Sequence, residues 1–395
     1  MQLIVGQGEY ANRRKRLLEW VEGESLGAFI TFSGLTTFYL TGFHFLPTER
    51  PAAAVIPVSG PPILFLPHLE IEHVGATGAD AEVITYPEYP GETHPMELLV
   101  GLLRERGLDR SGLLAESPGY SSSQGYRGPS LEDLLPETRI VVEAHRVEEM
   151  RMIKSPREIE LIRESAKWGN LAHVLLQEYC APGRSENEVS MRASAEASQA
   201  MMKTLGSAYL PLGKAGASAG FRGQIGANSA LPHAVNINAI MREGDNLVTG
   251  AGSGVGGYGS ELERTMFLGE PCSRQRKYFG YMMEMQEAAF AAIAPGKPCS
   301  VVDDAVMAIF RERDLEPHWR HHTGHALGLL GHEAPFFDVG DDTVMQAGMV
   351  FSVEPGIYVP GLGGFRHSDT VVVTDTGMEF LTYYPRDLES LIIPG

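Results

Sequence analysis

The chain has 395 residues, with 43% hydrophobic and 21% charged, and its 32 Lys plus Arg against 50 Asp plus Glu give a formal charge of −18. That length is long for one core and the composition is that of an ordinary folded protein, so two domains are expected and disorder is excluded. The negative balance makes nucleic acid a poor partner, and no apolar run approaches the roughly 20 residues that span a bilayer.

The opening MQLIVGQGEYANRRKRLLEW carries its basic cluster after a short apolar stretch, the reverse of a secretory signal, so a cytoplasmic protein is expected. A charged amphipathic helix is predicted from about Glu9 to Gly23. The β-rich runs AFITF and AAAVIPV then alternate with helix-like segments such as HPMELLVGLLRERG, which reads as an α/β domain. At EEMRMIKSPREIELIRESAKWGNLAHVLLQEY the pattern changes, with Ser155 as a helix cap before Pro156 and Glu158 three residues after the cap. The expected division is residues 1–152 and 153–395. Beyond it, long helices mix with glycine-rich strand segments in an α+β pattern, one helix crossing RKYFGYMMEMQEAAFAAI and stopping at Pro295 and Gly296. Cys180, Cys272 and Cys299 show no CxxC or Cys/His metal spacing and read as buried free thiols.

Histidines carry the sharpest chemical signal. HHTGHALGLLGHEAP gathers His321, His322, His325 and His332 in one glycine-rich segment with Glu333 beside the last, and imidazole serves either proton transfer or metal ligation. In GYGSELERT, Glu261 and Glu263 lie two apart on a predicted strand and share a face, where they repel unless a metal, a cation or a proton intervenes. Glu354 in FSVEPGIY is a lone carboxylate in an apolar strand, costly to bury without a partner. His233 in GANSALPHAVN and Arg366, His367, Ser368 and Asp369 in GGFRHSDTVVV complete the candidates.

In this order, and with EYANRRKRL and MRMIKSPREIELIR, these segments resemble the pita-bread superfamily of methionine aminopeptidases, prolidases, Xaa-Pro aminopeptidases and creatinase. The resemblance implies an α/β creatinase-type N-terminal domain, an α+β pita-bread catalytic domain and a homodimer. The five metal ligands of the metallopeptidases fall on Gly250, Glu261, His325, Glu354 and Ser368, so two positions offer no carboxylate. A two-ion site needs bridging carboxylates, although Glu261, His325 and Glu354 could in principle hold a single zinc. Metal-free creatinase is the nearer likeness at LERT: its catalytic-site carboxylates fall on Glu263 and Glu354 and its catalytic histidine on His233.

The expected function is therefore a metal-independent, creatinase-like hydrolase of a C–N bond in a small guanidino, amidino or related amide compound, with no metal or other cofactor. His233 would move protons while Glu263 and Glu354 clamp a planar cation. Glu261, His325, His332 and Arg366 would line an anionic pocket for a cationic or zwitterionic substrate. The alternatives are a metal-dependent Xaa-Pro dipeptidase or aminopeptidase with a reduced metal site, and a non-catalytic binding module of the same fold.

Overall fold

In the computed structural model, which describes residues 2–213 and 215–394, the chain forms two units, Val5–Met150 and Met1–Ile4 with Arg151–Gly395. The first is built on strands β1 (Ala28–Thr31), β2 (Ala53–Pro57), β3 (Ile63–Pro67), β4 (Glu82–Tyr86), β5 (Leu113–Ala115) and β6 (Ile140–Val142), in the order β4-β3-β2-β1-β5-β6. Every residue of β1, β2 and β3 is buried. A sheet covered on both faces selects unbroken apolar runs instead of alternation, which is why AFITF and AAAVIPV read as they do. Ile30, Val55 and Phe65 pack one face against Leu99, Val100 and Leu103 of the helix Pro95–Glu105, and Ala54, Leu64 and Leu66 pack the other face with Phe43. That helix begins with Pro95 in its first turn and the His94 ring accepting from the Met96 N–H. The predicted N-terminal helix spans Gln7–Gly23.

The second unit opens with the helix Pro156–Tyr179, entered through the capping box anticipated at Ser155 and Glu158: each side chain accepts from the other's backbone N–H, at 3.3 and 2.7 Å. Its strands begin with β7 (Ala217–Gly220), β8 (Asn246–Val248), β9 (Gly250–Val255), β10 (Tyr258–Gly259), β11 (Leu262–Glu263) and β12 (Thr265–Leu268). There follow β13 (Gly324–Ala326), β14 (Glu333–Phe337), β15 (Val350–Val353), β16 (Gly356–Val359) and β17 (Gly363–Arg366). The last are β18 (Ser368–Val373), β19 (Met378–Phe380) and β20 (Ile392–Ile393). The main sheet runs β10-β9-β11-β18-β15-β13-β14, with β7 beside β9 and β19 beside β18; β16 and β17 form a separate hairpin.

This order sets segments far apart in sequence side by side. Glu263 pairs with Ser368 across β11 and β18, and His325 pairs with Ser352 across β13 and β15. Arg264, with no exposed surface, ties the layers together: it ion-pairs with Asp369 at 2.8 Å and donates to the carbonyls of Glu263, Ser368, Tyr384 and Pro385. Two of those carbonyls belong to site residues, so this paired and fully bonded guanidinium fixes the backbone beneath the site. Gly324 is required by close approach, since a Cβ there would lie 2.1 Å from the Ser352 carbonyl oxygen. The expectation for the cysteines holds at Cys180 and Cys299, whereas Cys272 is exposed because it caps the surface helix Ser273–Ala292. Among the described residues no helix is long and apolar enough to cross a membrane.

Candidate active site

Strand alternation decides which of the clustered polar residues meet. Glu261 and Glu263 project to one side of β11 while Arg264 projects to the other, and along β17 and β18 Arg366 and Ser368 share the carboxylates' side while His367 and Asp369 do not. His367 is buried against the Phe279 ring and lies outside the site. Glu354 follows β15, held by its N–H donating to the Thr323 carbonyl at 2.8 Å.

Three ligand-type atoms converge. His325 Nε2 lies 3.1 Å from Glu354 Oε1 and 3.9 Å from Glu261 Oε2, and one donor atom from each residue falls within 4.8 Å of the others. The His325 ring Nδ1 donates toward the Ala326 carbonyl at 3.1 Å, so when the ring is neutral its proton stays on that nitrogen and the Nε2 lone pair points inward. Nε2 is buried and faces only the two carboxylates, ion-paired with Glu354 while the ring is protonated and free to meet an ion once it is not. Burial alone would lower the His325 pKa, but contact with Glu354 and attraction by Glu261 outweigh it and raise the pKa to about 9. Burial pushes Glu354 the other way and is likewise overcome, His325 and Arg366 holding its carboxyl well below the usual range. Glu261 is raised by burial and then by Glu354.

The residues fit one ion and not two. Glu261 Oε1 accepts from the hydroxyls of Ser352 at 2.8 Å and Ser368 at 2.9 Å, leaving Oε2 to face His325. Ser368 thus orients a ligand instead of being one. Gly250 contributes no side chain, and a Cβ there would meet Glu263 Oε1 at 3.5 Å, so the Glu263 carboxylate stands where a residue 250 side chain would enter. Both Glu263 oxygens are engaged by Arg366, one by Nη2 at 2.7 Å and the other by Nε. Arg366 also lies 3.7 Å from Glu354 and donates to the Tyr358 hydroxyl at 2.9 Å, which contacts His321 Nε2 at 2.8 Å. His321 Nδ1 faces the His322 carbonyl, so Nε2 accepts from Tyr358, and burial lowers the His321 pKa to about 4 and keeps the ring neutral.

Several expectations change here. Glu263 cannot clamp a planar cation, because Arg366 already occupies both of its oxygens. Arg366 is correspondingly a buried counter-charge with 2% exposure and not a substrate ligand. The pocket is not simply anionic: Glu261, Glu263 and Glu354 are faced by Arg366, Arg222 and His325. Glu333 leaves the site altogether, buried against Lys154 at 3.2 Å and Arg151 at 3.6 Å. His332 stays, its exposed ring stacked on His325 at a centroid distance of 3.7 Å and its pKa lowered by burial and then by His325. His233 sits on the exposed loop after the turn Gly226–Ala230, near enough to His332 to contribute to that lowering. Arg222, Gln224, Ser352 and Tyr358 were not singled out from the sequence. Of these, Ser352 and Tyr358 lie within FSVEPGIY, two residues before and four after Glu354, and Arg222 and Gln224 lie within no recognised motif.

A His and two carboxylates converging at a buried imidazole nitrogen, on a sheet preceded by an α/β domain, form a donor set of the kind that holds a divalent ion in a metallohydrolase. Residues 160–375 match metallopeptidase family M24 and residues 13–153 match the creatinase/prolidase N-terminal domain. The chain belongs to metallopeptidase family M24, with a creatinase-type N-terminal domain and a pita-bread catalytic domain. The probable dipeptidase PepE of Mycobacterium tuberculosis is 29% identical over 388 residues, 98% of this chain and 97% of that one. The Xaa-Pro dipeptidase of Pyrococcus furiosus is 33% identical over 242 residues, 61% of this chain and 66% of that one. The crystal structure of dipeptidase PepE from Mycobacterium ulcerans, 26% identical, superposes with a TM-score of 0.80 over 99% of this chain and 100% of that chain. The protein is an enzyme, a hydrolase acting on C–N bonds. The expectation of a metal-independent, creatinase-like activity is overturned, since these relatives carry the names of dipeptidases and the family is one of metallopeptidases.

Proposed function

We propose that the chain is a metal-dependent dipeptidase acting on Xaa-Pro dipeptides at a single-ion centre. The observation that carries this reading is the convergence of Glu261, His325 and Glu354 within 4.8 Å, in a chain whose relatives include an Xaa-Pro dipeptidase. A divalent ion held there would supply a polarised water and positive charge for the scissile carbonyl. The protein's own groups do the rest. Ser352 and Ser368 aim Glu261, the Ala326 carbonyl aims His325, and Arg366 keeps Glu354 ionised. His332, neutral near pH 7 and open to solvent, and His233 on the adjoining loop carry protons between water and the leaving nitrogen. The N-terminal domain is taken as Val5–Met150, two residues short of the expected boundary at 152, with Arg151–Gly395 carrying the catalytic domain, and the protein's setting as a cytoplasmic homodimer. The test is to strip the protein with chelator, titrate back manganese, cobalt or zinc, and follow proline release from Ala-Pro alongside ion content. Activity returning fully at one ion per chain is expected. Undiminished dipeptide turnover in the stripped protein, or a requirement for two ions per chain, would overturn the reading.

A further inference from the structure

The histidine-rich segment carries one carboxylate, Glu333, that the proposed chemistry leaves unused. Its side chain and that of Lys154 are 2% and 1% exposed, and Lys154 Nζ donates to Glu333 Oε2 at 3.2 Å. The other oxygen, Oε1, accepts from the Leu330 N–H at 3.1 Å and lies 3.6 Å from Arg151 Nε. Glu333 therefore closes the loop of residues 327–332 on itself through one oxygen and ties it through the other to the segment that follows Met150. Lys154 is fixed in turn, its N–H donating to the Gly348 carbonyl at 2.9 Å while Ile153 bridges to Met349. Burial lowers the Lys154 pKa; Glu333 and then Glu158 oppose that by attraction, and Arg151 adds to it.

The loop is shaped to admit the lysine. A Cβ on Gly328 would lie 2.9 Å from Lys154 Cε and 3.2 Å from Glu333 Oε2, so a side chain there would push the lysine aside. On its other side the loop is anchored to the main sheet, the Gly259 N–H donating to the Gly328 carbonyl at 2.9 Å and the Leu327 N–H to the Val350 carbonyl at 3.1 Å. Its last residue is His332, whose exposed ring stacks on His325 at 3.7 Å with 19° between the planes. An exposed ring held by stacking stands where its backbone puts it. Buried ion pairs are weak devices for stability, because apolar residues of like volume often serve as well or better. A buried pair that spans 179 positions and ends one residue from His332 is accounted for by the geometry it imposes.

We propose that Lys154 and Glu333 form a buried latch on the loop of residues 327–332, which makes both of them positioning residues for His332 and keeps its ring against His325. The consequence for turnover rests on the dipeptidase reading above, in which His332 moves protons; the latch itself does not.

The double variant Lys154→Met with Glu333→Leu removes the pair without leaving a lone buried charge, and it should melt within about 3 °C of the wild type. In the stripped protein the Leu330 amide of this variant should exchange with deuterium at least about 10-fold faster, and the His332 ring-proton signal should move away from its stacked position. With ion restored to the wild-type content, kcat on Ala-Pro should fall about 10–100-fold while KM changes by less than about threefold, as befits a displaced group and not a lost contact. The same double substitution made in His332→Ala should cost no further kcat. Lys154→Gln keeps a donor to Glu333 and should loosen the loop less; if the double variant does not fold, this variant carries the same readouts. Unchanged exchange and an unchanged His332 signal in the folded variant, or an equal loss of kcat with and without His332, would overturn the proposal. A wild type that leaves Ala-Pro uncleaved, with the exchange and the His332 signal still dependent on the pair, would sink the dipeptidase reading and leave the latch standing.

Discussion

Replacing Glu263 by Gln tests the claim that this carboxylate is structural and electrostatic instead of a ligand for a planar cation. Glu263 and Arg366 are 5% and 2% exposed, and an amide can accept from the guanidinium but carries no charge to balance it. Breaking a buried pair by removing one partner costs about 3–5 kcal/mol. Arg366 lies only 3.7 Å from Glu354 and can turn toward it, which places the cost near the lower figure. At about 2–4 °C per kcal/mol for a unit of this size, the melting temperature of stripped protein should fall by about 6–12 °C. A surface control, Glu379→Gln, removes the pair with Arg163 whose side chains are 51% and 39% exposed, and should cost no more than about 1 kcal/mol. Burial raises the Glu263 pKa to about 7 in spite of Arg366, so calorimetric melting of wild type and both variants near pH 8.5, where Glu263 is ionised, makes the comparison. If Glu263→Gln melts within about 2 °C of the wild type, Glu263 is not holding a charged Arg366, and the account of why a second ion does not fit loses its basis.

Three further outcomes follow from the same geometry. Because the His325 pKa is raised to about 9, the ring is protonated at pH 7.5 without an ion and must lose that proton to bind one. Ion binding should therefore release close to one proton, read by calorimetry in buffers of different ionisation enthalpy, and tighten as pH rises toward 9; release near zero would contradict the raised pKa. Ser368→Ala removes one of two hydroxyls orienting Glu261 and should weaken ion affinity about 10-fold in a chelator-competition titration, whereas total loss would mean Ser368 is itself a ligand. His233→Ala should lower turnover of Ala-Pro by about two to four orders of magnitude with unchanged melting temperature and ion content, and near-normal turnover would assign the proton transfer to His332.

Much of the architecture is readable locally. The unbroken apolar runs of β1 and β2, the Ser155 and Glu158 capping box and the Pro295 stop depend on neighbours a few residues away, and period-two alternation alone places Glu261 and Glu263 on one face. The loss of carboxylates at Gly250 and Ser368 is equally a matter of sequence. What the residues in line could not decide was the charge each carboxylate meets. Glu263 is answered by Arg366 from 103 positions away, and Glu333, adjacent to His332 in sequence, is drawn off by Lys154 from 179 positions away. Reading three glutamates without these partners led to an anionic pocket for a cation. The tertiary structure reversed that conclusion because the energy of a buried charge is set by the nearest opposite charge in space, and here that neighbour comes from a distant segment, the β17 hairpin strand for Glu263 and the connection before the helix Pro156–Tyr179 for Glu333.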